Sequence, residues 1–156
     1  MEALLHRLSA RLRSALARTA LARQASARPA PAADTPGCLV TVCRGCCCGT
    51  PGKHPGVDHS AHLARLRTAV ADGGRLRQSG CLDLCELSNV VVVSPSAAGR
   101  RNGGRTLWFV EILDDRLVSD ITDWIGAGGP GVLAPPARLA EHLYAPSRRG
   151  RQAIGG

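Results

Sequence analysis

Six of the seven cysteines crowd into two short stretches, Cys43-Arg-Gly-Cys46-Cys47-Cys48 and Cys81-Leu-Asp-Leu-Cys85, with Cys38 just upstream of the first. No other feature restricts the fold as strongly, because a chain that uses both stretches for one purpose has to bring them to one place. The N-terminal region shows no uninterrupted apolar segment of the kind a secretory leader needs, and Arg recurs through it every few residues. A cytoplasmic, reducing setting is therefore expected. There, an odd number of clustered cysteines reads as metal binding or redox chemistry and not as a disulfide framework.

Residues 39–42 are short, apolar and partly β-branched, which predicts a strand running directly into Cys43. Pro51 and Pro55 keep regular structure out of much of the loop 43–58. Ser60 is the expected N-cap of a helix with Leu63, Leu66 and Val70 on one face, stopped by Asp72-Gly73-Gly74. Residues 75–78 form a weaker strand candidate leading into the second cysteine stretch. Within residues 89–94, Val90 to Val93 run without a polar break, the pattern of a strand buried on both faces. A polar turn over 99–105 joins this run to a strand at 107–113 as a hairpin. Leu117, Ile121, Trp124 and Ile125 then mark the apolar face of a helix that 126–130 ends, with Asp114 and Asp115 at its N-terminus complementing the dipole. The predicted order is β-loop-α-β-β-β-α. It describes an α/β fold, a mixed sheet flanked by helices, with a parallel first pair and an antiparallel hairpin.

Residues 3–27 place Leu5, Leu8, Leu12 and Leu16 at helical spacing among Arg7, Arg11, Arg13 and Arg18, an N-terminal helical extension with one apolar stripe. Pro29, Pro31 and Pro36 then mark a linker. The expected organisation is an extension and linker over 1–36, one domain over 37–130, and a Pro-rich connection over 131–156 with a short helix near 138–143 and a basic tail. The formal charge of +8 sits mostly outside the domain: residues 1–36 carry 6 Arg and 2 acids, and residues 145–156 carry 3 Arg and no acid. Residues 37–144, with 11 basic and 10 acidic side chains, are close to neutral. With aromatics at only 3% and no reader module, nucleic-acid binding is not expected. No apolar run approaches the roughly 20 residues that cross a bilayer.

If the strands before the two cysteine stretches are neighbours, their loops converge at one end of the sheet. A 2Fe-2S cluster needs two terminal thiolates on each iron besides its bridging sulfides, and two pairs from two loops meet that need. Cys81 and Cys85 supply one pair. Cys43 begins the other, and spacing leaves Cys46, Cys47 and Cys48 open as its partner.

The chain here resembles the thioredoxin-like 2Fe-2S ferredoxins, which include the small cluster-bearing subunit of respiratory complex I and of NAD-linked hydrogenases. That subunit type carries Cys-x4-Cys and, some three dozen residues later, Cys-x3-Cys within a Gly-Cys-Leu-x-x-Cys run followed by an apolar strand. This sequence has Cys43 and Cys48 in that spacing, a gap of 32 residues, then Gly80-Cys81-Leu-Asp-Leu-Cys85 and the Val run. The strings Cys43 to Gly49 and Lys53 to His59 also look like those of actinobacterial-type ferredoxin-domain proteins. The resemblance covers roughly residues 38–127. It implies a thioredoxin-like fold, a 2Fe-2S cofactor held by Cys43, Cys48, Cys81 and Cys85, and one-electron transfer between redox protein partners by a carrier that is not itself an enzyme. Cys46 and Cys47 depart from the complex I subunit type and are alternatives for the second ligand. A homodimer is compatible with the reading.

Two other readings compete. Cys43-Arg-Gly-Cys46 is a Cys-x-x-Cys after a strand, where a thiol-disulfide oxidoreductase keeps its active site, but that use leaves Cys81 and Cys85 idle. Zinc is the other, since His54 and His59 lie near the cysteine loop, and it would make the protein a structural or interaction module. Both histidines are expected to be exposed loop residues. Gly52-Lys53 lacks the earlier Gly and the following Ser or Thr of a P-loop. Arg44 and Lys53 are candidate cations beside the cluster.

Overall fold

A computed structural model describes residues 37–154 apart from Cys46, all of them within one compact unit spanning Thr35–Gly156. The expected N-terminal helix and its linker lie outside the described residues. The elements are β1 (Leu39–Cys43), α1 (His59–Ala69), β2 (Arg75–Ser79), a 3-10 turn (Cys85–Leu87), β3 (Val91–Ser94), α2 (Ala97–Arg101), β4 (Leu107–Phe109), α3 (Asp115–Gly126), α4 (Ala137–Ala140), β5 (Leu143–Tyr144) and α5 (Arg148–Ala153).

The architecture is α/β, with one five-stranded mixed sheet in the order β2-β1-β3-β4-β5. β1 runs parallel to β2, and every other pairing is antiparallel. Because β1 and β2 are parallel with Cys43 opposite Ser79, the chain leaves both strands at the same sheet end. Both cysteine loops start there.

Side chains alternate across the strands, so the sheet has two distinct buried faces. Val40, Val42, Val91, Val93 and Phe109 point to the face covered by α1 and α3, where they meet Leu66, Leu117, Val118, Ile121, Trp124 and Ile125. The rings of Phe109 and Trp124 meet edge to face at 5.7 Å between centroids, a favoured aromatic geometry. On the opposite face Cys43, Val90, Val92 and Trp108 pack with Cys48 and Leu82 from the cysteine loops and with Leu87, Tyr144 and Ile154. The Val run is therefore buried on both faces, with Val91, Val92 and Val93 at most 2% exposed. Among the described residues the cysteine loops and the C-terminal segment do the covering on this face.

Local chemistry explains where the element boundaries differ from expectation. Asp58, not Ser60, caps α1, accepting the Ala61 N–H at 2.8 Å. The expected polar turn after β3 contains α2, because Ser96 caps it through the Gly99 N–H at 3.0 Å and Ala97 and Ala98 favour helix. β4 ends at Phe109 although the apolar pattern runs to Leu113. Glu111 takes φ 55, which turns the chain out of the ladder while Ile112 N–H still reaches the Asn89 carbonyl. Leu143, expected in a helix, lies in β5: α4 lasts one turn, and the Val110 N–H bonds the His142 carbonyl at 3.0 Å, which draws the following residues onto the sheet edge. Asp114 and Asp115 occupy the start of α3 as expected, Asp114 as its cap and Asp115 facing His62 and Arg65 of α1.

Candidate metal centre

The two loops cross where two glycines touch. A Cβ on Gly45 would stand 2.8 Å from the Gly80 carbonyl oxygen and 3.0 Å from its Cα, so the close approach needs residue 45 to lack a side chain, whereas a Cβ on Gly80 would meet nothing within 4 Å. One step earlier the Arg44 N–H donates to the Ser79 carbonyl at 2.8 Å, carrying the β1–β2 pairing into the loops.

This crossing gathers the thiols. Cys43 and Cys48 form a buried inner pair, 2% and 1% exposed, close enough that each perturbs the other. Cys81 and Cys85 form an outer pair with sulfurs 3.9 Å apart, Cys81 exposed and Cys85 half-buried. Between the pairs lies Cys47, whose sulfur falls within 4.8 Å of those of both Cys48 and Cys85, which are equally close to each other. Among the described residues five sulfurs thus gather in one group, with Cys47, Cys48 and Cys85 mutually close, Cys43 beside Cys48 and Cys81 beside Cys85. Cys46 is not among the described residues. Cys38 lies at the far end of β1 in the helix-covered core, its thiol facing the Gly128 carbonyl at 3.6 Å.

Burial and crowding set the electrostatics. Burial pushes the Cys43 thiol up, against a backbone hydrogen bond from Leu82. Burial, reinforced by Cys43, pushes the Cys48 thiol up to about 12. Cys85 is also pushed up to about 12, chiefly by Cys47 and then by Cys81. Thiols crowded in this way resist ionisation until a cation arrives to share the charge. The Asp83 N–H donates to the Cys81 sulfur at 3.3 Å, made possible by φ 60 at Asp83. Such an N–H favours a negatively charged sulfur.

Behind the inner pair lies a polar frame. Arg44 donates to the His59 carbonyl at 3.1 Å, while its other terminal nitrogen is buried with no partner among the described residues. Burial lowers its affinity for a proton, and the Cys48 and Cys43 sulfurs restore part of it. An added Cβ at Gly49 would collide with the Arg44 side chain, so this Gly, at φ +73, leaves the guanidinium its space. Asn89 accepts the Gly49 N–H at 2.9 Å and pairs with His59 Nδ1 at 2.9 Å. His54 pairs with Ser88 Oγ at 2.9 Å, and Lys53 donates to the Cys85 carbonyl.

The histidine expectation needs correction. His59 is 6% exposed, and burial, followed by the nearby Arg44, lowers its pKa. It is a frame residue buried behind the loop, because α1 begins at His59 and turns its ring inward. Asn89 was legible in the sequence only as the start of a strand, and nothing local marks it as the residue that ties Gly49 to His59. Among the described residues no helix is long and apolar enough to cross a membrane. Compared with protein-family models, curated proteins and solved structures, the chain matches none.

Proposed function

We propose that this protein is a thioredoxin-like ferredoxin that binds a 2Fe-2S cluster and carries single electrons between protein partners in the cytoplasm. The observation that carries the reading is the convergence of a two-cysteine pair from each of two loops on one group of thiols. Metal–sulfur bonds of about 2.3 Å in a tetrahedral site put two thiolates on one metal about 3.8 Å apart, close to the separation of Cys81 and Cys85. Cys43 and Cys48 would hold one iron, and Cys81 and Cys85 the other. When bound, the cluster supplies reversible one-electron exchange, and a four-thiolate 2Fe-2S centre carries a net negative charge that grows on reduction.

The residues suit that charge. The unpartnered buried nitrogen of Arg44, beside Cys43 and Cys48, gains a counter-charge when those sulfurs are thiolates. The Asp83 and Leu82 amides provide hydrogen bonds to sulfur. Cys43 and Cys48 sit away from water, while Cys81 reaches the surface and offers a partner the shortest approach.

Zinc remains the second reading, because Cys47, Cys48 and Cys85 are mutually close and Cys81 adjoins Cys85. An oxidoreductase built on Cys43 and Cys46 is disfavoured. Cys43 is buried and its thiol is pushed up, the reverse of what an attacking cysteine needs. Anaerobic purification followed by iron, zinc and labile-sulfide analysis with visible and EPR spectroscopy tests the proposal. The expected result is equal iron and sulfide with a reducible chromophore; a colourless protein holding one zinc and no sulfide overturns it.

A further inference from the structure

Among the described residues the site holds one thiol more than the proposed cluster uses. Cys47 and Cys48 are consecutive, yet both sulfurs lie within 4.8 Å of Cys85. They differ in depth: Cys48 is 1% exposed and backed by Cys43, whereas Cys47 stands half-buried on the solvent side. Cys48 is framed by Asn89, which holds the next residue, Gly49, by its amide. Cys47 is tied on its own side, its carbonyl accepting the Thr50 hydroxyl at 2.9 Å. Two sulfurs at different depths therefore reach one region of the site from a single short loop.

We infer that Cys47 is an exchange ligand for the position held by Cys48, so that the centre has a buried ligand set through which it is kept and a solvent-side set through which it is loaded and released. The inference rests on the cluster reading above and names the residue that makes the site labile. In the exchange a metal–sulfur bond to Cys47 forms as the bond to Cys48 breaks, and the proton of the Cys47 thiol passes to the released Cys48 sulfur. Charge and ligand number are unchanged, and no oxidant or reductant takes part.

The test uses the full chain with Cys46→Ser as the reference protein, reconstituted anaerobically with ferrous iron and sulfide. Cys48→Ser and Cys48→Ala in that background are expected to keep iron and sulfide within about twofold of the reference and an all-sulfur visible spectrum, whereas the Cys47→Ser/Cys48→Ser pair falls by about tenfold or more. Cys47→Ser alone is expected to reach the iron and sulfide content of the reference, but to load more slowly and to release iron to a ferrous chelator roughly tenfold more slowly than the reference. Thermal unfolding of each apoprotein identifies any variant that does not fold, and Cys48→Ala, which keeps the buried position apolar, stands in if Cys48→Ser fails. Exchange is overturned if both Cys48 variants fold and lose the cluster as completely as the pair. It is equally overturned if Cys47→Ser releases iron at the reference rate, or if Cys46→Ser alone empties the site. A reference protein that folds and takes up neither iron nor sulfide, in agreement with the unaltered chain, instead removes the cluster reading itself, and the exchange with it.

Discussion

The side-chain oxygen of Asn89 accepts the backbone N–H of Gly49 at 2.9 Å, joining the first cysteine loop to the segment just before β3. Asn89 is 2% exposed, and its amide nitrogen reaches His59 at 2.9 Å, so one side chain spans the loop and the first turn of α1. Asn89→Ala leaves the buried His59 ring and the half-buried Gly49 amide short of a partner and is expected to cost about 1–3 kcal/mol. Urea unfolding measures the loss, and an unchanged midpoint would show the bridge to be dispensable.

Gly45 sets how closely the first cysteine loop approaches the second. Gly45→Ala places a methyl group against the Gly80 backbone, which has no flexible end to move aside. The expected outcome is a loss of about 1–3 kcal/mol and weaker metal retention, because the pairs of thiols are pushed apart. Gly52→Ala, where an added Cβ meets nothing within 4 Å, is the matched control and should retain metal normally.

His59 makes stability depend on pH in a definite direction. Its folded-state pKa is lowered from 6.5, so the folded form favours the neutral ring. Below that unfolded value the unfolded chain binds more protons, and the stabilisation, complete above it, is lost as pH falls toward the folded pKa. Denaturation midpoints measured from about pH 7 down to about pH 5 should fall less steeply for His59→Gln than for the natural chain. Identical slopes would remove His59 from the account.

Arg44 is a buried cation beside the inner pair. Arg44→Gln removes a buried positive charge beside Cys43 and Cys48, and the expected consequence for the reconstituted protein is a lower reduction potential, since the reduced cluster carries the extra negative charge. Potentiometric titration followed by EPR reads the shift. An unchanged potential would mean that water, not Arg44, balances the charge.

Phe109 is fully buried on the helix-covered face, opposite the face that packs Cys43 and Cys48, and meets Trp124 edge to face. Phe109→Ala should cost about 3–5 kcal/mol of stability. In protein that remains folded, the visible spectrum of the loaded site should be unaltered, which separates core packing from site chemistry.

Periodicity and spacing by themselves determined the elements with a strong local pattern. Four consecutive valines require burial on both faces of β3, and Leu117, Ile121, Trp124 and Ile125 mark one face of α3, because alternation and helical spacing are properties of adjacent residues. The two cysteine stretches implied a common sheet end only if their strands were neighbours, and the parallel pairing of β1 with β2 supplies that condition. Only the tertiary structure decided what covers the second face of the Val strand, that Leu143 and Tyr144 join the sheet edge, and that Cys47 lies between the inner and outer pairs. It also decided that His59 and Asn89 form the buried frame behind Cys48. These outcomes depend on contacts between residues far apart in the chain, such as Gly49 with Asn89 and Gly45 with Gly80, and such contacts leave no periodic signal in either partner's own neighbourhood.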